Sequence, residues 1–271
     1  MTDSNHMPSF RSDQIEPTAI DQLVEVLDMQ AALPGIRRLR EWAQQALAVR
    51  TGERALDIGS GTGSEVFEFA RRVGAAGSAV GVDPNPAMLA VARARAAEIG
   101  VDAEFTEASV YRMPFEDNSF DAVRCERVYQ HLDDPAAATA EIARILRPGG
   151  RVVLIDSDWY TAITHPGDPQ VVAALDADAL ARSTNPGSGR LLRGLLVRAG
   201  FVIDDIGSQA LIWDPEAVLP MERMFTETAV AAGVITAAQA EQLFADLEAG
   251  VRSGDFHMSV TMFAVLGHLE G

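Results

Sequence analysis

The sequence contains no lysine. All 22 basic residues are arginine, set against 39 acidic residues for a formal charge of -17. A lysine Schiff base and a lysine general base are therefore excluded outright. The acidity also argues against a nucleic-acid partner. A phosphate backbone is held by clustered cations, and the pairs Arg37-Arg38 and Arg71-Arg72 read as solvated helix faces. Cysteine is nearly absent too. Cys125 stands alone, so no internal disulfide can form and a reducing interior is the simple setting. Cys125 itself reads as a small buried apolar residue. Long apolar runs are also missing, since the most apolar stretch, Ala229 to Ala238, is too short to cross a bilayer. The opening segment has no basic start followed by an apolar core, so no secretory signal is expected. These absences predict a cytoplasmic protein with no membrane partner.

The pattern along the chain is that of an α/β fold. Residues 1–16 are polar and unpatterned and predict a mobile tail. From 17 to 50 apolar residues recur at helical spacing, broken once at Pro34-Gly35, and predict a helical lid. Short apolar runs at Ala55–Ile58, Ala79–Val82, Ala103–Phe105, Phe120–Cys125 and Val152–Ile155 then alternate with helical segments. Such alternation argues for a parallel sheet covered on both faces. The helix after the fourth run is punctuated by Asp134 as N-cap and Pro135 in its first turn. Arg190–Ala199 reads as a helix, Phe201–Ile206 as a sixth strand, and about Pro215 to Val251 as helical, with a capping box at Thr236 to Gln239. Phe256–Leu266 reads as a closing strand.

The chemistry concentrates in LDIGSGTGSE, Leu56 to Glu65, and in GVDPNPAML, Gly81 to Leu89. Glycines at 59, 61 and 63 follow the first strand and let the backbone approach a ligand under the amides of the next helix. The dinucleotide fingerprint G-x-G-x-x-G would place its third glycine at position 64, which is Ser64. Asp83 ends the second strand about 20 residues on, where a carboxylate can accept hydrogen bonds from ribose hydroxyls. That position serves a nicotinamide dinucleotide and an adenosyl amino acid alike. Asp57 favours the second, because an acid beside the loop repels a pyrophosphate and suits a cationic ligand.

Four ordered motifs extend this reading: D-I-G-S-G-T-G at Asp57 to Gly63, G-V-D-P at Gly81 to Pro84, M-P-F-E-D-N-S-F-D at Met113 to Asp121, and L-R-P-G-G at Leu146 to Gly150. Over roughly Thr51 to Phe201 the chain resembles the class I S-adenosylmethionine-dependent methyltransferases, and within them the ubiquinone/menaquinone-biosynthesis-type small-molecule group. The resemblance implies a Rossmann-like, seven-stranded, mostly parallel sheet with an antiparallel last strand. It implies a cofactor core over 51–207 and substrate-roofing helices with the closing strand over 208–271, in a single domain from residue 17. It implies that Asp57, Gly59, Ser60 and Gly61 surround the methionine part of the cofactor and that Asp83 binds the ribose. Pro84 and Met88 would pack near the adenine. Ser109-Val110 stands where many relatives carry Asp-Ala; Ser109 can bond the adenine amino group and Val110 can offer its amide. Glu126 and Arg127 take positions whose backbone faces the sulfonium.

Further candidates lie at strand ends. Tyr129 and His131, in the segment after the fourth strand, are placed to face a methyl acceptor, with His131 as the base near neutral pH. Asp158 could orient the acceptor between Trp159 and Tyr160. Asp156, Asp158 and His165 lack a metal-ligand spacing, and no metal is expected. Met221, Met224, Phe225, Met258 and Met262 are gap-fillers or an adaptable apolar wall. The function expected is methyl transfer from S-adenosylmethionine to an oxygen, nitrogen or carbon nucleophile of a small, fairly apolar metabolite. Two alternatives are a protein that binds the cofactor without transferring methyl and an NAD(P)-dependent oxidoreductase.

Overall fold

A computed structural model describes residues 20–271; the tail expected over 1–16 lies outside them. Seven strands form one sheet in the order β3-β2-β1-β4-β5-β7-β6. They are β1 (Arg54–Ile58), β2 (Ser78–Asp83), β3 (Glu104–Glu107), β4 (Phe120–Glu126), β5 (Leu146–His165), β6 (Phe201–Ile212) and β7 (His257–Leu269). The first five pair in parallel, and β7 runs antiparallel to both β5 and β6, as expected of the closing strand.

Alternation along each strand builds two layers of core. Val153 and Ile155 of β5 pack under α2 (Pro34–Leu47), α3 (Ser64–Val73) and α4 (Pro86–Ile99). Val152 and Leu154 point to the opposite face, under α5 (Pro135–Ile145) and α7 (Ser188–Arg198). Both faces of the central strands are thus covered, which is why β2 and the middle of β5 are near-continuous apolar runs rather than alternating ones. The order reverses direction between β1 and β4, and open α/β sheets bind ligands in the crevice at such a switch point.

The helix caps follow the sequence. Asp134 accepts from the Ala137 amide at 3.0 Å ahead of α5, and Thr236 and Gln239 close a reciprocal capping box on α9 (Ala237–Ser253). The predicted lid is two helices, α1 (Ile20–Ala32) and α2, split at Leu33 before Pro34-Gly35.

Three segments differ from expectation. β5 continues through Asp156 to His165, because β7 pairs with it beyond a bulge between Asp158 and Ile163. β6 likewise runs on to Ile212. A further helix, α6 (Pro169–Arg182), follows β5; only its Val171 is fully buried, so no clear apolar stripe announced it. With α8 (Pro215–Ala231) and α9 it forms a third apolar cluster outside the sheet layers, around Leu243, Phe244 and Leu247.

Candidate functional site

A cavity of about 590 Å³ opens at the carboxyl ends of β1, β2, β4 and β5. Its first half is made by backbone. After β1 the chain returns on β2 through two amides, Gly59 and Ser60, which both donate to the Val82 carbonyl at 2.7 and 3.0 Å. Gly61 then adopts φ +50°, a left-handed conformation open to glycine at little cost, and Leu27 of α1 lies 3.5 Å from where its Cβ would stand. The Asp83 carboxylate accepts the Gly61 amide at 3.0 Å and the Asn85 amide at 2.9 Å, one on each oxygen. Burial pushes its carboxyl above the ordinary value while these two amides oppose the shift. Asn85 caps α4 by accepting from Ala87 at 2.9 Å, leaving its buried Nδ2 with no hydrogen-bond partner.

Around this loop the structure gathers every cofactor residue expected from the sequence. Asp57, Gly59, Ser60, Gly61, Asp83, Pro84 and Met88 line the cavity, and so do Ser109, Val110, Glu126 and Arg127. The Ser109 hydroxyl accepts from the Tyr111 amide at 3.3 Å.

Beneath the loop sits a cluster that the sequence did not announce. Arg124 on β4 lies beside Asp57 on β1 in the sheet register and donates to it at 2.9 Å. Arg124 also bonds Glu126, and its Nε stands 3.6 Å from Glu65 of α3. Arg40 reaches in from α2 to Glu126 at 2.9 Å and Glu65 at 3.4 Å, while Arg127 joins Glu126 at 3.3 Å and bonds Gln30 of α1. Three arginines thus meet three carboxylates. Burial works against charge on Arg124, yet Glu65, Glu126 and Asp57 hold it firmly protonated. Burial opposes ionisation of Glu126 as well, but Arg40, Arg124 and Arg127 pull its carboxyl well below the usual range. For Asp57 burial wins, and its carboxyl is pushed up to about 6 against Arg124. This corrects one inference from the sequence. Arg124 offsets the charge of Asp57, so Asp57 does not repel a pyrophosphate as a lone acid would. The signal that could have pointed here is an arginine set between the apolar residues Val123 and Cys125.

The second half of the cavity is made of side chains from distant segments. His131 lines it from the 3₁₀ turn Tyr129–His131 after β4. That turn is anchored by the Gln130 amide, which donates to Asp156 at 3.0 Å. Asp156 is fully buried and pushed up to about 7 by that burial. Trp159 of β5, Leu211 of β6, Trp213 just after it, and Met221 and Phe225 of α8 complete the wall.

Tyr129 does not face this space. Its ring is buried in the core against α5 and its hydroxyl shares a 2.9 Å hydrogen bond with Thr139, so burial drives the phenol well above its ordinary value. The expectation that Tyr129 meets an acceptor is therefore corrected: a 3₁₀ turn points Tyr129 and His131 different ways. Asp158 is also withdrawn, since it is buried and paired with Arg190, and Tyr160 lies outside under the Arg190 guanidinium. Met258 and Met262 are core residues. Asp156, Asp158 and His165 take separate partners, and the described residues contain no group of three or more His, Cys, Asp or Glu placed to hold a metal.

Comparison with known proteins agrees with this geometry. Residues 56–154 match the description of a methyltransferase domain. The chain is 32% identical over 267 residues to an uncharacterized 37.1 kDa protein of transposon TN4556 in Streptomyces fradiae, covering 96% of this chain and 75% of that protein. It is 32% identical over 186 residues to the ubiquinone/menaquinone biosynthesis C-methyltransferase UbiE of Saccharophagus degradans, covering 62% and 74% of the two chains. In fold it resembles the crystal structure of a SAM dependent methyltransferase from Aquifex aeolicus. The TM-score is 0.56 at 15% identity, covering 94% of this chain and 99% of that one.

Proposed function

Since the chain belongs to the class I S-adenosylmethionine-dependent methyltransferases of the ubiquinone/menaquinone-biosynthesis type, we propose that its methyl acceptor is a small, fairly apolar metabolite bearing an oxygen, nitrogen or carbon nucleophile. One observation carries this reading: a single cavity joins the glycine loop and Asp83 to a wall of tryptophan, phenylalanine, methionine and leucine. Its volume lies within the roughly 300–1,000 Å³ of small-ligand pockets.

The residues present fit the cofactor. The Gly61 cradle takes a close ligand, Asp83 keeps lone pairs beyond its two amide bonds, and the donor of Asn85 is otherwise unused. In this reading Asp83 holds the ribose, Pro84 and Met88 flank the adenine, and Ser109 and Val110 meet its edge. Asp57, Gly59, Ser60 and Gly61 enclose the methionine part, with the backbone of Glu126 and Arg127 beside the sulfonium. Once bound, the sulfonium makes its methyl electrophilic. The protein then contributes alignment, which for two held reactants is worth roughly 7–11 kcal/mol. His131 removes the acceptor's proton where the nucleophile carries one. Helix α1 and helix α8 roof the site.

The test is release of S-adenosylhomocysteine with a panel of neutral apolar acceptors, charged metabolites, RNA and protein. Turnover confined to the apolar acceptors is expected, and turnover confined to macromolecules would overturn the reading. On an accepted substrate, His131→Ala should lower turnover about 10²–10⁴-fold while S-adenosylhomocysteine affinity stays at the wild-type value. Unchanged turnover would remove His131 from the reaction.

A further inference from the structure

Residues Asn185 to Arg190, which lead into and open α7, are fastened to β5 at four successive positions. Gly189 lies so close that a Cβ there would stand 2.7 Å from the Asp156 carbonyl oxygen. The Ser188 hydroxyl donates to the Ser157 carbonyl at 3.1 Å, Arg190 pairs with Asp158, and the Pro186 carbonyl accepts the Trp159 amide at 2.7 Å. From this base Asn185 reaches across to the 3₁₀ turn Tyr129–His131. Its Nδ2 donates to the Tyr129 carbonyl at 3.1 Å and to the Leu132 carbonyl. Its backbone amide donates to the Gln130 carbonyl at 3.1 Å. One residue thus holds three carbonyls of the turn, and both donors of its side-chain amide are spent on them.

The turn needs outside support. A lone 3₁₀ turn has poor hydrogen-bond geometry, and here its own bonds are the His131 amide to Val128 at 2.9 Å and the Leu132 amide to Tyr129 at 3.2 Å. Arg127, just ahead of it, holds φ +56°, a left-handed conformation that a residue with a Cβ keeps when its surroundings impose it. The start of the turn is pinned through the Tyr129 hydroxyl to Thr139 and through the Gln130 amide to Asp156. Asn185 adds a hold on each side of His131, at Gln130 and at Leu132. We infer that Asn185 is the positioning residue for His131: by holding the carbonyls that flank it, Asn185 fixes the backbone from which the imidazole enters the cavity. The inference rests on the base role proposed for His131 and adds the residue that sets its aim.

The test is NMR of the full chain loaded with S-adenosylhomocysteine and labelled at histidine Cε1. The resonance that disappears in His131→Ala belongs to His131. In Asn185→Ala that resonance should shift or broaden, while those of His165, His257 and His268 and the S-adenosylhomocysteine affinity stay as in the wild type. A general loss of structure would move all of them. An unchanged His131 resonance would overturn the inference. Should Asn185→Ala fail to fold, Asn185→Ser, which keeps one donor, decides by the same readout. On an accepted substrate, Asn185→Ala should lower turnover about ten- to a hundredfold. Added to His131→Ala it should cost nothing further, because the residue it aims is gone; additive losses would overturn the inference. The two readings fail separately. Wild-type turnover in His131→Ala, with the resonance still responding to Asn185→Ala, removes the base and leaves the clamp. Slow His131→Ala beside wild-type turnover in Asn185→Ala does the reverse.

Discussion

The two halves of the cavity are built by different means. The glycine-loop end of the cofactor half uses backbone amides, one carboxylate and glycine dihedrals, supplied by two short segments at the ends of β1 and β2. The acceptor half uses side chains from β5, the end of β6 and α8, far apart in sequence. The difference teaches where chemistry can be written locally. A ligand of fixed shape can be held by a fixed loop, whereas an acceptor wall depends on long-range packing that carries no spacing.

The comparison can be broken from below or sharpened from either side. The buried charge cluster supports both halves, so its loss should cost most. Arg124→Leu leaves Asp57, Glu65 and Glu126 short of a partner and should lower stability by about 3–5 kcal/mol in denaturant unfolding. A loss under about 1 kcal/mol would mean that the cluster relaxes around the gap.

The roof of the acceptor half should respond to pH. On α8, next to the cavity-lining Met221, Glu222 is pushed up to about 7, first by burial and then by Asp176 of α6. A folded-state value above the unfolded one means that stability is fully present below about 4.5 and is lost as pH rises through about 7. Glu222→Gln should abolish that loss, raising stability at pH 8 by up to about 3 kcal/mol while leaving pH 4 nearly unchanged. Parallel pH profiles for variant and wild type would contradict it.

In the cofactor half, Asp83→Ala should weaken S-adenosylhomocysteine binding by about 1–3 kcal/mol. Wild-type affinity in the variant would remove Asp83 from the cofactor half.

Much of the fold was legible because parallel strands buried on both faces are apolar runs, and the helices between them carry caps such as Asp134 and Thr236. The glycine loop was legible for the same local reason. Ser64 and the downstream motifs disfavoured a dinucleotide, and the methyltransferase relatives agree. What was not legible depended on partners. The extension of β5 past Asp156 is polar in sequence and exists because β7 pairs with it. Tyr129 and His131, two residues apart in one short turn, could not be sorted into core and cavity without Thr139 of α5. Arg124 gained its partners only when β1 and α3 came beside β4, and Gln130 only when β5 did.

The central claim is that the glycine loop and Asp83 hold an adenosyl amino acid and not a dinucleotide. Calorimetric titration of the protein with S-adenosylmethionine, S-adenosylhomocysteine and NAD in parallel tests it most directly. Micromolar binding of the first two, with none of the third, is the result predicted; binding of NAD alone would contradict it.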